Sequence, residues 1–466
     1  MSPRFRACTL DQPLLLPPSL QDWLPEGHLA RFVADVAEQL DLAPIYAAYT
    51  RKDGRGQLGY HPLLLTRLLL YGYCHGVTSS RRIERKTHED VAFRFLAADQ
   101  HPDHDTIASF RQQHLEALAD LFTQALQMCQ KAGLVKLGHV AIDGTKLKAN
   151  ASKHKAMSYG RMDEAEQKLQ QQVEELLRQA EETDAAEDAQ YGKGCRGDEL
   201  PEELKRRESR LEKIREAKAA LEAEAKQKAA ERKATAEAKL VERRRKEAET
   251  GRKTGGRAPE VPDPEQAKPE AEAQRNFTDP DSRIMPDGAN KGSFVQGYNA
   301  QAAVDSQAQV IVAAEVVQAT NDKQQLAPMV EQVEANLGQK PATVSADSGY
   351  WSEANVTDER VQGVELYVAT GRQKHGEPIN PVGGSPPENV SAQQQMAAKL
   401  RAGAGQAVYK MRKAIVEPVF GQIKEARGVR RFQLRGLANL QAEWRLICLT
   451  HNLLKLYRSG WQPQAA

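Results

Sequence analysis

Three acidic residues stand where carboxylates could do chemistry: Asp143 in GHVAIDGTKLKAN, Asp347 in ADSGYW and Glu417 in YKMRKAIVEPVFGQIK. Magnesium is a hard cation that prefers oxygen ligands and few protein carboxylates. Two such ions roughly 4 Å apart can activate an attacking oxygen and stabilise a leaving one in phosphoryl transfer. The setting of Glu417 is the most informative. Lys413, Glu417 and Lys424 share one helical stripe, because steps of four and seven residues nearly complete whole turns. Val416, Phe420 and Ile423 form an apolar face. Pro418 donates no backbone hydrogen bond and disfavours helical dihedrals at Glu417, which predicts a kink there, with Gly421 loosening the next turn. Two of the acids also have a plain alternative: Glu417 as part of a salt-bridged solvent-facing helix, and Asp143 as a turn former.

The elements that must position these acids follow from periodicity. Small and β-branched residues before Asp143 predict a short strand with the acid near its exposed end. Residues 294–303 and 310–317 read as strands around a turn, and residues 323–337 as a helix. Residues 341–345 form a short buried strand leading to Asp347, residues 364–369 another, and residues 437–456 a closing helix. A loop rich in Gly and Pro fills residues 371–389. Between the first acid and this block, residues 157–274 are dominated by Glu, Lys, Arg, Ala and Gln. Leu169, Val173, Leu176 and Ala180, then Leu204, Leu211, Ile214 and Leu221, keep heptad-like spacing. That predicts an antiparallel helical hairpin turning at a polar loop with Gly192, Gly194 and Gly197, followed by a linker-like tail.

Residues 58–128 read as short helices, with proline at the first turn near His61 and capping residues at Ser79 or Ser80 and at Asp105 or Thr106. Arg81, Arg82, Arg85, Lys86 and Arg111 are expected on the outside, which suits a helix-turn-helix-like DNA-binding unit or the solvated face of an ordinary bundle. Net charge is only +2, yet residues 51–94 hold nine Lys/Arg against four Asp/Glu, and residues 401–435 hold nine against two. Such local patches attract phosphate more than a total does. The five cysteines form no CxxC pair, which argues for reduced thiols in the cytosol. No signal-peptide pattern and no apolar run of membrane-spanning length is evident.

An acid on the first strand, another after the fourth and a third on a late helix follow an order that resembles the ribonuclease-H-like fold. YHPLLLTRLLLYGY, SSRRIER, EDVAFRFLA, PDHDTIASFR, IDGTKLKANAS, TDPDSRIM, QGYNAQAAVD, ADSGYW and VEPVFGQIK, in this order, make the chain resemble a DDE transposase of bacterial insertion sequences. The expected fold class is therefore α/β: a ribonuclease-H-like mixed sheet catalytic core interrupted by a helical hairpin insertion, with an all-α N-terminal domain. The resemblance implies a DNA-binding domain over residues 1–136, a catalytic domain over 137–156 and 275–460, and the insertion over 157–274. It implies Asp143, Asp347 and Glu417 as metal ligands for two Mg2+ ions, with Mn2+ as a substitute. Lys424 fits the last basic position of the family's tyrosine–arginine–glutamate–lysine signature. Lys413 stands at the matching offset before Glu417, and Tyr409 lies one residue too far upstream. Arg81, Arg82, Arg85, Lys86, Lys146, Lys413 and Lys424 are the expected DNA contacts, and Tyr350 and Trp351 are placed either to stack an unpaired base or to serve as core or cleft-wall aromatics. The implied partners are double-stranded DNA, as terminal inverted repeats and target, and a second copy of the chain. The implied location is the bacterial cytoplasm, at the nucleoid. The competing readings are a nuclease of the same fold without strand transfer, and a non-catalytic DNA-binding protein.

Overall fold

The computed structural model describes residues 19–49, 59–191, 202–251, 255–256, 258–287, 292–371 and 391–463. Among the described residues seven helices come first: α1 (Leu29–Gln39), α2 (Ala43–Ala47), α3 (Pro62–Cys74), α4 (Ser80–Glu89), α5 (Val91–Leu96), α6 (His104–Gln113) and α7 (Leu115–Lys131). Then follow β1 (His139–Lys148), β2 (Ala156–Ser158), α8 (Tyr159–Tyr191), α9 (Glu202–Thr250), β3 (Gln274–Asn276), β4 (Arg283–Pro286), β5 (Phe294–Asp305) and β6 (Ile311–Val317). The chain closes with α10 (Leu326–Leu337), β7 (Thr343–Ala346), α11 (Glu353–Val356), β8 (Glu365–Val368), α12 (Ala392–Arg401), α13 (Gly403–Gly421) and α14 (Leu437–Arg458). Among the described residues no helix is long and apolar enough to cross a membrane. The polar loop with Gly192, Gly194 and Gly197, and nearly all of the loop at 371–389, lie outside the described residues.

Two compact units divide the chain. The first comprises Met1–Leu147, Asn299–Leu434 and Ala438–Ala466. Its sheet runs β6-β5-β1-β7-β8. β5 and β6 are antiparallel, whereas β1 and β7, and β7 and β8, are parallel. Val140, Ala141 and Ile142 on β1 and Val344 and Ala346 on β7 are buried and apolar, as parallel strands covered by helices require. Helix α14 ties the sheet to the first seven helices. Trp444 Nε1 donates to Gln301 O at 2.8 Å, Asn452 exchanges hydrogen bonds with the Ile311 backbone, and Cys129 Sγ lies 3.8 Å from Asn452 O.

The second unit comprises Lys148–Tyr298 and Arg435–Leu437. Here α8 and α9 pack through Met162, Leu169, Leu211, Ile214, Ala217 and Leu221. Arg215 pairs with Glu166, and Lys218, one turn further along α9, pairs with Glu166 and Asp163, one turn earlier on α8. The two helices are therefore antiparallel. β2 and β3 pair at their root. Part of the tail that reads as a linker runs back along α9, with Lys226 Nζ 3.0 Å from Glu265 and Arg243 donating to Gly256 O.

Two local expectations are corrected. Asp143 sits in the middle of β1 rather than at its end, because β1 continues to Lys148. Helix α13 is continuous through Pro418, and a π turn over Gln422–Ala426 follows it. Val416, Val419 and Phe420 on this helix are buried. Arg111 is buried, not outside, with Nη1 donating to Thr78 O at 2.8 Å and to the Tyr73 hydroxyl at 3.2 Å.

Candidate active site

The parallel register of the first unit brings two of the acids together. The last pairing between β1 and β7 is Ile142 with Ala346, so Asp143 and Asp347 follow on adjacent strands at the carboxyl end of that pairing. Crevices at the carboxyl ends of parallel strands are where open α/β sheets bind ligands. Asp347 caps the short turn Ser348–Tyr350, its Oδ1 accepting from Gly349 N at 2.8 Å. Asp143 Oδ1 accepts from Gly144 N at 2.8 Å, and its Oδ2 accepts from Arg412 Nη1 at 3.1 Å.

Arg412 reaches this acid from α13. It is 7% exposed, its guanidinium lies 5.8 Å from the centre of the Tyr409 ring, and its Nε has no protein partner among the described residues. Burial pushes the Asp143 carboxyl up, Arg412 pulls it down, and Asp347 and Asp322 push it up again, leaving it near 6. Burial alone disfavours the Arg412 cation, but the acids around it, Asp143 first, outweigh this and raise its pKa.

Glu417 is exposed on α13, and its charge reaches Arg412. Lys413 is exposed on the same helix. Lys424, in the π turn, donates to Thr145 Oγ1 at 3.1 Å and to Lys146 O at 3.4 Å, which brings that ammonium to the strand of Asp143. Burial lowers the Lys146 pKa against the pull of Asp322, Asp143 and Asp347. Tyr350 is completely buried, with its hydroxyl donating to Gln301 Oε1, so it belongs to the core rather than to a stacking surface; Trp351 is half-buried. Arg81, Arg82 and Arg85 are exposed on α4, and Lys86 is half-buried there. Arg85 lies 3.9 Å from Glu89 and Lys86 3.3 Å from Asp90 on the same helix.

Several contributors escaped the pattern of motifs. Arg412, one residue from the position that helical offset favours, is the cation on Asp143. Asn299 and Gln301 are fully buried polar residues two apart on β5, hence on one face, and both donate to Asp322 Oδ1, at 2.6 and 2.7 Å. Polar residues at alternate positions in the otherwise apolar QGYNAQAAVD were the available signal; nothing in QATNDK marks Asp322 beyond a helix start. Gly144 is required by this crowding. A Cβ there would collide with Gln301 Nε2 and lie 2.8 Å from Asn299 Oδ1 and 2.9 Å from Asp322 Oδ1.

Among the described residues no three acidic, histidine or cysteine side chains converge closely enough to enclose a metal ion. The donor chemistry nonetheless fits a hard divalent cation. Asp143, Asp347 and Asp322 all bear carboxylates whose charges reach the same groups, and Asn299 Oδ1 is a buried oxygen without a partner among the described residues.

Comparison with known families gives two matches. Residues 18–113 match a transposase domain model (DUF772), and residues 266–453 match the transposase DDE domain model. The second stretch includes Asp347, Arg412, Glu417 and Lys424, whereas Asp143 lies outside both. No curated protein and no solved structure matches the chain. With a transposase model over its N-terminal helices and another over the strands and helices that carry two of the three acids, together more than half of its length, the chain belongs to the DDE transposases of the insertion-sequence type.

Proposed function

We propose that this transposase cuts DNA at the ends of an insertion sequence and joins the freed 3′-hydroxyl to target DNA, using a centre built on Asp143, Asp347 and Glu417. The observation that carries this is the β1/β7 register, which leaves Asp143 and Asp347 side by side where their strands' pairing ends. The sheet order β6-β5-β1-β7-β8, an antiparallel pair beside parallel neighbours, supports a ribonuclease-H-like core. Two Mg2+ ions, when bound, supply the activated water or hydroxyl and stabilise the leaving oxygen.

The chain's own groups have separable tasks. Asp143, Asp347 and Glu417 would hold the ions. Arg412 fixes the rotamer of Asp143 and offsets part of the acidic repulsion. The Gly349 amide does the same for Asp347. Lys424, beside Thr145, lies where an ammonium can hold a phosphate as a point charge. Lys413 and Lys146 would add to that field, and Arg81, Arg82, Arg85 and Lys86 would contact backbone phosphates of the terminal repeats. Paired ends imply that two copies of the chain act together.

The test uses a pre-nicked end duplex with a free 3′-hydroxyl and a supercoiled target plasmid, in Mg2+. Joined product is expected. Cleavage of intact ends without any joining would replace the transposase reaction with that of a nuclease.

A further inference from the structure

Asp322 lies in the loop before α10, far in sequence from the three acids assigned above, yet its carboxylate sits between the segments that carry two of them. A Cβ on Gly144, next to Asp143, would lie 2.9 Å from Asp322 Oδ1. A Cβ on Gly349, two residues past Asp347, would lie 3.4 Å from Asp322 Oδ2. The first distance is too short for a side chain at position 144, and the second is ordinary van der Waals contact, so Asp322 packs against both segments. Its orientation is held from one side: Asn299 Nδ2 and Gln301 Nε2 both donate to Oδ1. Gln301 is itself oriented by the Tyr350 hydroxyl, which donates to its Oε1. The other oxygen, Oδ2, accepts no hydrogen bond among the described residues. A carboxylate with one oxygen clamped by two buried amides and the other turned toward the turn that Asp347 caps is a preorganised oxygen donor. Beside it lies Asn299 Oδ1, fully buried and without a partner among the described residues. Buried polar atoms are rarely left so, and an ordered water or ion is a common reason.

We infer that Asp322 is a fourth carboxylate of the divalent-cation centre, supplying Oδ2 as a ligand while Asn299 and Gln301 fix its position. This rests on the reading of Asp143 and Asp347 as metal ligands. It assigns an oxygen donor to the loop between β6 and α10, in addition to the groups on β1, after β7 and on α13.

Asp322→Asn separates ligation from positioning, because the asparagine keeps an acceptor oxygen for Asn299 and Gln301 and replaces only Oδ2. Mn2+ binding to the full-length protein is followed by titration calorimetry, with Asp143→Asn in parallel and thermal unfolding as the check on folding. Loss of even an outer-shell partner weakens metal binding about 10- to 100-fold, so Asp322→Asn should weaken Mn2+ at least about tenfold. If Asp143→Asn weakens Mn2+ and Asp322→Asn does not, the inference is wrong and the metal centre stands. If neither does, the metal reading itself is wrong. A measurement on the unaltered chain covers the case in which the variant does not fold. Fe2+ with ascorbate and peroxide cuts polypeptide near the bound ion, and cuts are expected at residues 320–324 together with those near 143 and 347. Cuts near 143 and 347 alone would overturn the assignment.

Discussion

At the scale of single residues, Arg412 and Asp143 decide how the site responds to pH. The carboxyl, held near 6, must lose its proton before it can bind a cation, so Mg2+-dependent cleavage should rise as pH increases through about 6. Arg412 lowers that value, and an opposite charge at this range commonly shifts a carboxylate by about one to three units. Arg412→Gln should therefore move the rise to higher pH, and a pH–rate profile that stays in place would mean that the guanidinium does not tune Asp143. Gly144→Ala probes the crowding on the other side of the same acid. Its methyl group would run into Gln301 and Asn299, and overpacking of this kind costs roughly 1–3 kcal/mol. Denaturant unfolding should show a loss in that range, and an unchanged midpoint would mean that the amides move aside freely.

At the scale of elements, helix α4 carries the clearest DNA prediction. Among the described residues Arg81 and Arg82 have no ion pair, whereas Arg85 and Lys86 face acids on their own helix. Replacing Arg81 and Arg82 with alanine should weaken binding to all sequences and reduce the salt slope by roughly one unit per lost phosphate contact. An unchanged slope would leave α4 as an ordinary solvated face. The hairpin is the other separable element. Its apolar cluster is internal to its own unit, so replacing residues 159–274 with a short linker should leave a soluble protein that unfolds cooperatively but pairs DNA ends poorly. Insolubility would make the hairpin part of the core. Elements of this kind were legible because strong periodicity marks them: the hairpin, β5, β6, α10 and α14 all fall close to where apolar spacing puts them. What spacing did not reveal was tertiary. Arg111 reads as surface, yet the Tyr73 hydroxyl and Thr78 carbonyl take it inside. Arg412 and Asp322 join the candidate site through contacts across more than a hundred residues or through a loop with no motif of its own.

At the scale of the whole molecule, α14 is the spine of the first unit, and His451 makes its stability depend on pH. Complete burial, aided by Arg427, pushes this imidazole down to about 3, while its Nε2 lies 3.0 Å from Gln309 O. Below about pH 6.5 the unfolded chain binds a proton here that the folded chain does not, so this contribution to stability falls as pH falls toward 3. Relative to His451→Gln, the native protein should lose roughly 2–3 kcal/mol between pH 6.5 and 4.5, measured by denaturant unfolding. A constant difference would mean that the imidazole is charged in the fold. Activity, by contrast, depends on the acids on the sheet and α13. Its most direct test is Mg2+-dependent cleavage of end DNA by Asp143→Asn, Asp347→Asn and Glu417→Gln, each at a protein concentration that saturates binding. Each variant should lose at least about a hundredfold in cleavage rate, the upper figure for disturbing even an outer-shell metal partner, while end binding stays near that of the native protein. Undiminished cleavage by any one of the three would contradict its place in the centre.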